Sequence, residues 1–210
     1  ITEQSPCDEW ASWVPPRTDP ALVMQVVSEA YGYNVIVSDS DAIWLRDPME
    51  YFDLPDVRSS SVVASRGRIP HDTFNKWGTS MCMGFILFRA TGPGMNKMMR
   101  SMETLVSHVG DDQVSTNRAI DEFGVIWDSD GDMRYTESVG RGRGTIDILH
   151  GDDGPFVVTL LPHSTFPRQC RETPISNETV VAHCAIKKLV SFREKWMKQT
   201  NHWLLDDDNP

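Results

Sequence analysis

With 210 residues, 40% of them hydrophobic, the chain can bury a sizeable core and reads as one domain over 1–210. Its formal net charge of -10 excludes a general nucleic-acid backbone binder, which needs a surplus of Lys and Arg; an anionic small molecule fits only if a divalent cation bridges it to the protein's carboxylates. No window approaches the roughly 18–20 uninterrupted apolar residues of a membrane span, and the opening ITEQSPCDEW is not a signal peptide.

Residues 1–18 are rich in Pro, Trp and charge and form an irregular lead-in. Asp19-Pro20 supplies an N-cap and a first helical position for an apolar face of Leu22, Val23, Val26, Val27 and Ala30, which Gly32 ends. Val35 to Val37, short and bounded by turn signals, reads as a buried strand. SVVAS (61–65) and GFILFRA (84–90) are further strands, separated by a polar stretch containing Arg66, Arg68, His71 and Asp72.

Between Pro93 and Val109 the residues Met95, Met98, Met99, Met102, Leu105, Val106 and Val109 recur at helical spacing, a stripe that belongs to the core. Gly110 ends that helix and Asp111 caps the next, 112–123. The segment 129–144 has glycines and charge without apolar period, and is expected to be an exposed, mobile loop. TIDIL (145–149), FVVTLL (156–161) and TVVAH (179–183) read as strands, and 184–199 as a last helix. Alternating strands and helices make the class α/β.

Asp39 and Asp41 follow the first strand, where an open α/β sheet binds ligands. In an extended segment they project to one side with Ser40 between them. Two converging carboxylates repel, which a divalent cation or a hydrogen-bonding polyol relieves; the alternative is a turn whose aspartates cap local backbone. Cys7, Cys82, Cys170 and Cys184 form no CxxC pair and fit either two disulfides or four thiols, while Asn177-Glu178-Thr179 is an N-glycosylation acceptor pattern.

DSDAIWLRDPMEYF resembles the signature of the nucleotide-diphospho-sugar transferase family of retaining glycosyltransferases, whose members include plant cell-wall arabinosyl-, xylosyl- and galactosyltransferases. The resemblance continues in GFILFRAT (84–91), DDQVSTNRAI (111–120) and VVAHC followed by a Lys-rich helix and Trp203, so that it covers residues 22–203. It implies a GT-A-like mixed sheet flanked by helices, a nucleotide-sugar donor such as a UDP-sugar, a glycan or glycoprotein acceptor, and Mn2+ or Mg2+. By the same resemblance Asp39, Asp41 and His183 would ligate the metal. Asp39, Ser40, Asp41, Gly84 and Lys187 would contact the donor, and Asp112 and Gln113 would serve catalysis.

The family carries Asn where this chain has Met83, before Gly84, and another where Cys184-Ala185 follows His183. Few residues precede the first helix, so part of the N-terminal nucleotide-binding βαβ unit is expected to be missing or replaced. The resemblance implies the Golgi lumen or another secretory compartment, with the chain as the luminal part of a longer precursor, and the cytoplasm is the alternative. Two other functions fit less of the sequence. One is a glycosyltransferase-like binding module without activity. The other is a haloacid-dehalogenase-type phosphotransferase, with Asp39 as nucleophile, Asp41 as acid/base and Asp152 and Asp153 at a magnesium ion.

Overall fold

The structure is a computed structural model that describes residues 32–91, 94–151, 154–168, 175–184 and 198. The lead-in, the helix expected after Asp19, most of that expected over 184–199, and Lys187 lie outside the described residues.

Strands β1 (Val35–Ser38), β4 (Ser80–Phe88), β3 (Val62–Gly67), β7 (Gly154–Leu160), β6 (Gly142–Gly151) and β5 (Ile126–Trp127) form one sheet in that order. Only β3 and β7 run parallel; every other neighbouring pair is antiparallel, giving a mixed sheet. A ribbon of β2 (Ile43–Trp44) and β8 (Val181–Ala182) stands apart from it. Short helices α1 (Met49–Phe52), α2 (Pro55–Arg58) and α3 (His71–Trp77) precede the longer α4 (Met95–Val109) and α5 (Asp112–Glu122).

Both faces of the sheet are covered. One packs Val62, Ala64, Ile86 and Phe88 against Met95, Met98, Met99 and Met102 of α4, Ala119 and Ile120 of α5 and Trp77 of α3. On the other face, Val63, Phe85 and Leu87 meet Phe52 of α1, Val57 of α2, Phe166, Val180 and Val181. Strand β3 is buried along its whole length because it lies inside the sheet and both faces are covered, although its second half, Ser65-Arg66-Gly67, is not apolar. The methionine stripe is core, as its spacing implies.

Several elements depart from expectation. The strand before Asp39 is half-buried, because β1 is the sheet's edge and pairs only with β4. Trp44, whose bulk suggests a core position, is 47% exposed: its two-residue strand pairs with β8 at the rim, and its ring rests edge-on against Phe85. Arg66, in the polar stretch, is wholly buried in β3. Its guanidinium donates to the carbonyls of Leu161 (2.8 Å), Arg134 (2.8 Å) and Gly140 (3.1 Å), and burial lowers its pKa to about 10, which leaves it charged at neutral pH. It thereby ties the 129–144 segment to the sheet at two points, while Val139 at that segment's crest is exposed.

A cluster of carboxylates and imidazole over Gly84

The three residues expected at a metal come together from two parts of the chain. His183 Nε2 lies 3.3 Å from Asp39 Oδ2 and 3.2 Å from Asp41 Oδ1, and one ligand atom from each residue lies within 4.8 Å of the other two. The cluster grades from solvent to core, with side-chain exposures of 56% for Asp39, 21% for Asp41 and 6% for His183. A ligand can therefore enter from outside and meet a fixed imidazole below.

The carboxylates converge differently from the expectation of alternation along a strand. The Ala42 amide donates to the Asp39 carbonyl at 3.0 Å, closing a turn over residues 39–42. The chain thus reverses at Ser40, which is exposed, and both aspartates are carried toward His183. The turn is itself anchored, since the Asp39 amide donates to the Gly84 carbonyl at 2.9 Å.

Gly84 explains how the groups can be so close. A Cβ placed there would lie 1.8 Å from His183 Cε1, 2.1 Å from Nδ1 and 2.7 Å from Asp39 Oδ2. The β3–β4 register breaks at this level, stepping from Ala64↔Ile86 to Ser65↔Cys82. This bulge lets Gly84 and Phe85 share a face while Met83 turns to the opposite core. The bulge and the missing side chain together make the recess in which the imidazole sits.

His183 is held by its backbone, whose amide donates to the Pro167 carbonyl at 3.1 Å. Cys82 Sγ is 3.8 Å from His183 Nδ1. That thiol is free and buried, and burial pushes its pKa above the usual value, so it remains a neutral neighbour. Arg168 also reaches the ring, with Nη1 2.7 Å from each ring nitrogen and 3.3 Å from the His183 carbonyl. Nothing in the run FPRQCRE sets Arg168 apart in the sequence.

The opening of α5 borders the recess through Met83. Gln113 Oε1 accepts from the Met83 amide (3.2 Å) and its Nε2 donates to the Ile69 carbonyl (2.8 Å), so both ends of that amide are engaged. Asp112 is half-buried, and its Oδ1 accepts from the Gln113 amide at 2.7 Å. Asn117 is fully buried rather than on a helix surface or at a ligand: it exchanges bonds with both the amide and carbonyl of Met81. Arg46 and Asp47 bond to backbone, Arg46 donating to the distant Thr179 carbonyl and Asp47 accepting from the nearby Met49 amide.

A family model described as nucleotide-diphospho-sugar transferase matches residues 22–203. The chain belongs to that family. No curated protein and no solved structure matches it significantly. Members of the family are glycosyltransferases that use a nucleotide-sugar donor, and the six-stranded mixed sheet with helices on its faces agrees with such a fold. The phosphotransferase alternative places its nucleophile after a strand inside a parallel sheet, whereas Asp39 follows an antiparallel edge strand. Among the described residues no helix is long and apolar enough to cross a membrane.

Proposed function

We propose that the protein is a divalent-cation-dependent retaining glycosyltransferase that moves a hexosyl or pentosyl group from a UDP-sugar to a hydroxyl of a glycan or glycoprotein. The observation that carries this reading is the convergence of Asp39, Asp41 and His183 above Gly84 in a chain of this family. The donor set suits the group: two carboxylate oxygens and an imidazole nitrogen match Mn2+ or Mg2+, with Mn2+ the more tolerant of nitrogen. The separations of 3.2 and 3.3 Å fall within the roughly 4 Å open to two ligands sharing an ion at about 2.1 Å.

When bound, the cation supplies Lewis-acid stabilisation to the departing diphosphate. Asp41, the more enclosed carboxylate, and His183 would hold it. Asp39, more open and beside Ser40, is placed to hydrogen-bond the ribose or sugar as well. Gly84 would act on the donor indirectly, by leaving the room in which the His183 ring sits. Asp112 would offer a carboxylate where positive charge develops as the glycosidic bond breaks, and Gln113 would help by tethering the start of α5 to Met83, the neighbour of Gly84. Lys187 would neutralise the diphosphate. A secretory lumen, most simply the Golgi, is supported by the disulfide on Cys184 and by the exposed position of Asn177 in its glycosylation pattern.

Calorimetric titration of UDP with Mn2+ and with EDTA, alongside hydrolysis of a UDP-sugar panel, tests the proposal. Binding only with Mn2+ and release of sugar from at least one donor are expected. Absence of binding in both conditions would favour the reading as a module without activity.

A further inference from the structure

We infer that the cavity between α3 and the 129–144 segment is a subsite for the acceptor, and that it takes a sugar unit bearing a carboxylate. This rests on the reading of the protein as a glycosyltransferase with a glycan acceptor. The cavity, of about 490 Å³, falls within the roughly 300–1,000 Å³ of small-molecule sites. Arg68, Phe74 and Tyr135 line it together with Gly78, Arg134 and Glu137. The rings of Phe74 and Tyr135 meet at 84° with centroids 5.8 Å apart, so they form two walls of a corner. The Arg68 guanidinium carbon lies 5.4 Å from the Phe74 centroid and 5.7 Å from that of Tyr135.

The charges of the lining are unevenly matched. Arg134 donates to both carboxylate oxygens of Asp132, at 3.0 and 2.8 Å, and lies in the field of Glu137 as well. Arg68 is exposed, and among the described residues no carboxylate pairs with it. What holds it is the attraction of a cation to two aromatic rings, which spends none of its N–H donors. The guanidinium is therefore placed in advance, and it still offers the planar fork that a carboxylate accepts bidentately. An acidic sugar suits both features. The C–H face of its ring packs on an aromatic wall while its carboxylate, at the ring's edge, meets Arg68. An acidic peptide would supply the charge without that flat face.

The cavity wall is fixed. Arg66 donates to the carbonyls of Arg134 and Gly140, on either side of Tyr135, and Ser138 accepts from the amides of His163 (2.8 Å) and Ser164 (3.0 Å). Two short runs of contacts join this wall to the recess over Gly84. The Tyr135 ring meets that of His163 at 5.9 Å, and His163 Nε2 accepts from the amide of Arg168, whose guanidinium reaches His183. Beside Arg68, the Ile69 carbonyl accepts from Gln113 Nε2, and Gln113 Oε1 accepts from the Met83 amide next to Gly84. The chain from Gly78, at the cavity, to Gly84 spans at most about 22 Å. An oligosaccharide held in the cavity can thus extend to the recess.

Calorimetric titration tests this with short oligomers of galacturonic and of glucuronic acid, each against its methyl ester, and with triglutamate. EDTA is present so that no metal bridges the carboxylates. At least one oligouronate should bind the wild-type chain about fivefold or more tighter than its ester and than triglutamate, as one exposed charge-assisted contact allows. Arg68→Gln should abolish that preference, Arg68→Lys should keep part of it, and Tyr135→Ala should weaken acid and ester alike. UDP with Mn2+ should bind the wild type and Arg68→Gln equally, which shows the variant folded. Failure of every oligouronate to bind, equal binding of acid and ester, or a preference that survives Arg68→Gln overturns this inference and leaves the donor reading in place. Triglutamate binding as tightly as the oligouronates would make the cavity a polypeptide site and overturn the sugar. A wild-type chain that binds an oligouronate through Arg68 but never UDP would overturn the transferase reading while supporting the cavity as a carbohydrate site.

Discussion

At the scale of single residues, the recess depends on an absent side chain. Gly84→Ala would drive a methyl into His183 Cε1 at 1.8 Å and crowd Asp39 Oδ2 at 2.7 Å, so the ring must leave its place. The variant is expected to weaken Mn2+ binding, with or without UDP, at least about tenfold, comparable to loss of an outer support of a metal ligand. Overpacking should also cost about 1–3 kcal/mol of stability. Titration and urea unfolding check the two effects separately, and an unchanged Mn2+ affinity would show that the recess accommodates a side chain. The acidic pair stood out in the sequence because it opens DSDAIWLRDPMEYF, the run that resembles the family signature; two aspartates after a strand would by themselves as readily cap a turn. Their manner of convergence was not legible, since the turn closed between Asp39 and Ala42 replaces strand alternation. The approach of Arg168 to His183 was illegible altogether: it comes from the pinning of Pro167 to His183 across a gap in sequence that no local pattern encodes.

At the scale of elements, the glycine and aspartate between α4 and α5 behave as their types dictate. Gly110 closes α4 at φ 72°, and Asp111 Oδ1 accepts from the Val114 amide at 2.8 Å. Asp111→Ala should therefore destabilise the protein by about 1 kcal/mol, a loss of roughly 2–4 °C in Tm for a chain of this size, because an orphan amide at the start of α5 loses its partner. Calorimetry measures this, and an unaltered Tm would mean that water replaces the cap at no cost. Long periodic elements, α4 above all, were readable because their apolar faces repeat over several turns. Strand β4 begins at Ser80, earlier than its obvious run GFILF, because SMCM is buried through methionine and cysteine instead of β-branched residues. The ribbon β2–β8 and strand β5 have two residues per strand, too few for any period to register. Helices α1, α2 and α3 are likewise short, and each buries only one or two side chains.

At the scale of the whole molecule, acid sensitivity should follow from a histidine away from the recess floor. His163 is fully buried, accepts from the Arg168 amide through Nε2, and faces the Arg66 charge and the Tyr135 ring. Burial first, and the Arg66 charge second, lower its pKa from 6.5 to about 4. The unfolded chain then takes up a proton near pH 6.5 that the folded chain refuses until near pH 4. Stability from this group is complete above pH 6.5, falls progressively between the two values, and is gone below pH 4, a loss of about 3 kcal/mol. His163→Gln, which can still accept from the Arg168 amide, should flatten that part of the profile in urea unfolding between pH 7 and 4. A wild-type stability that does not fall in this window would contradict the buried, neutral imidazole.

The fold as a whole brings one end of β1, a bulge in β4 and the end of β8 to a single point, the place proposed above for the donor's cation. The most direct measurement is anomalous diffraction at the manganese edge from crystals grown with Mn2+ and UDP. The account predicts one strong peak about 2.1–2.2 Å from carboxylate oxygens of Asp39 or Asp41 and from His183 Nε2, with the diphosphate beside it. Ordered UDP with no peak between these three residues would contradict it.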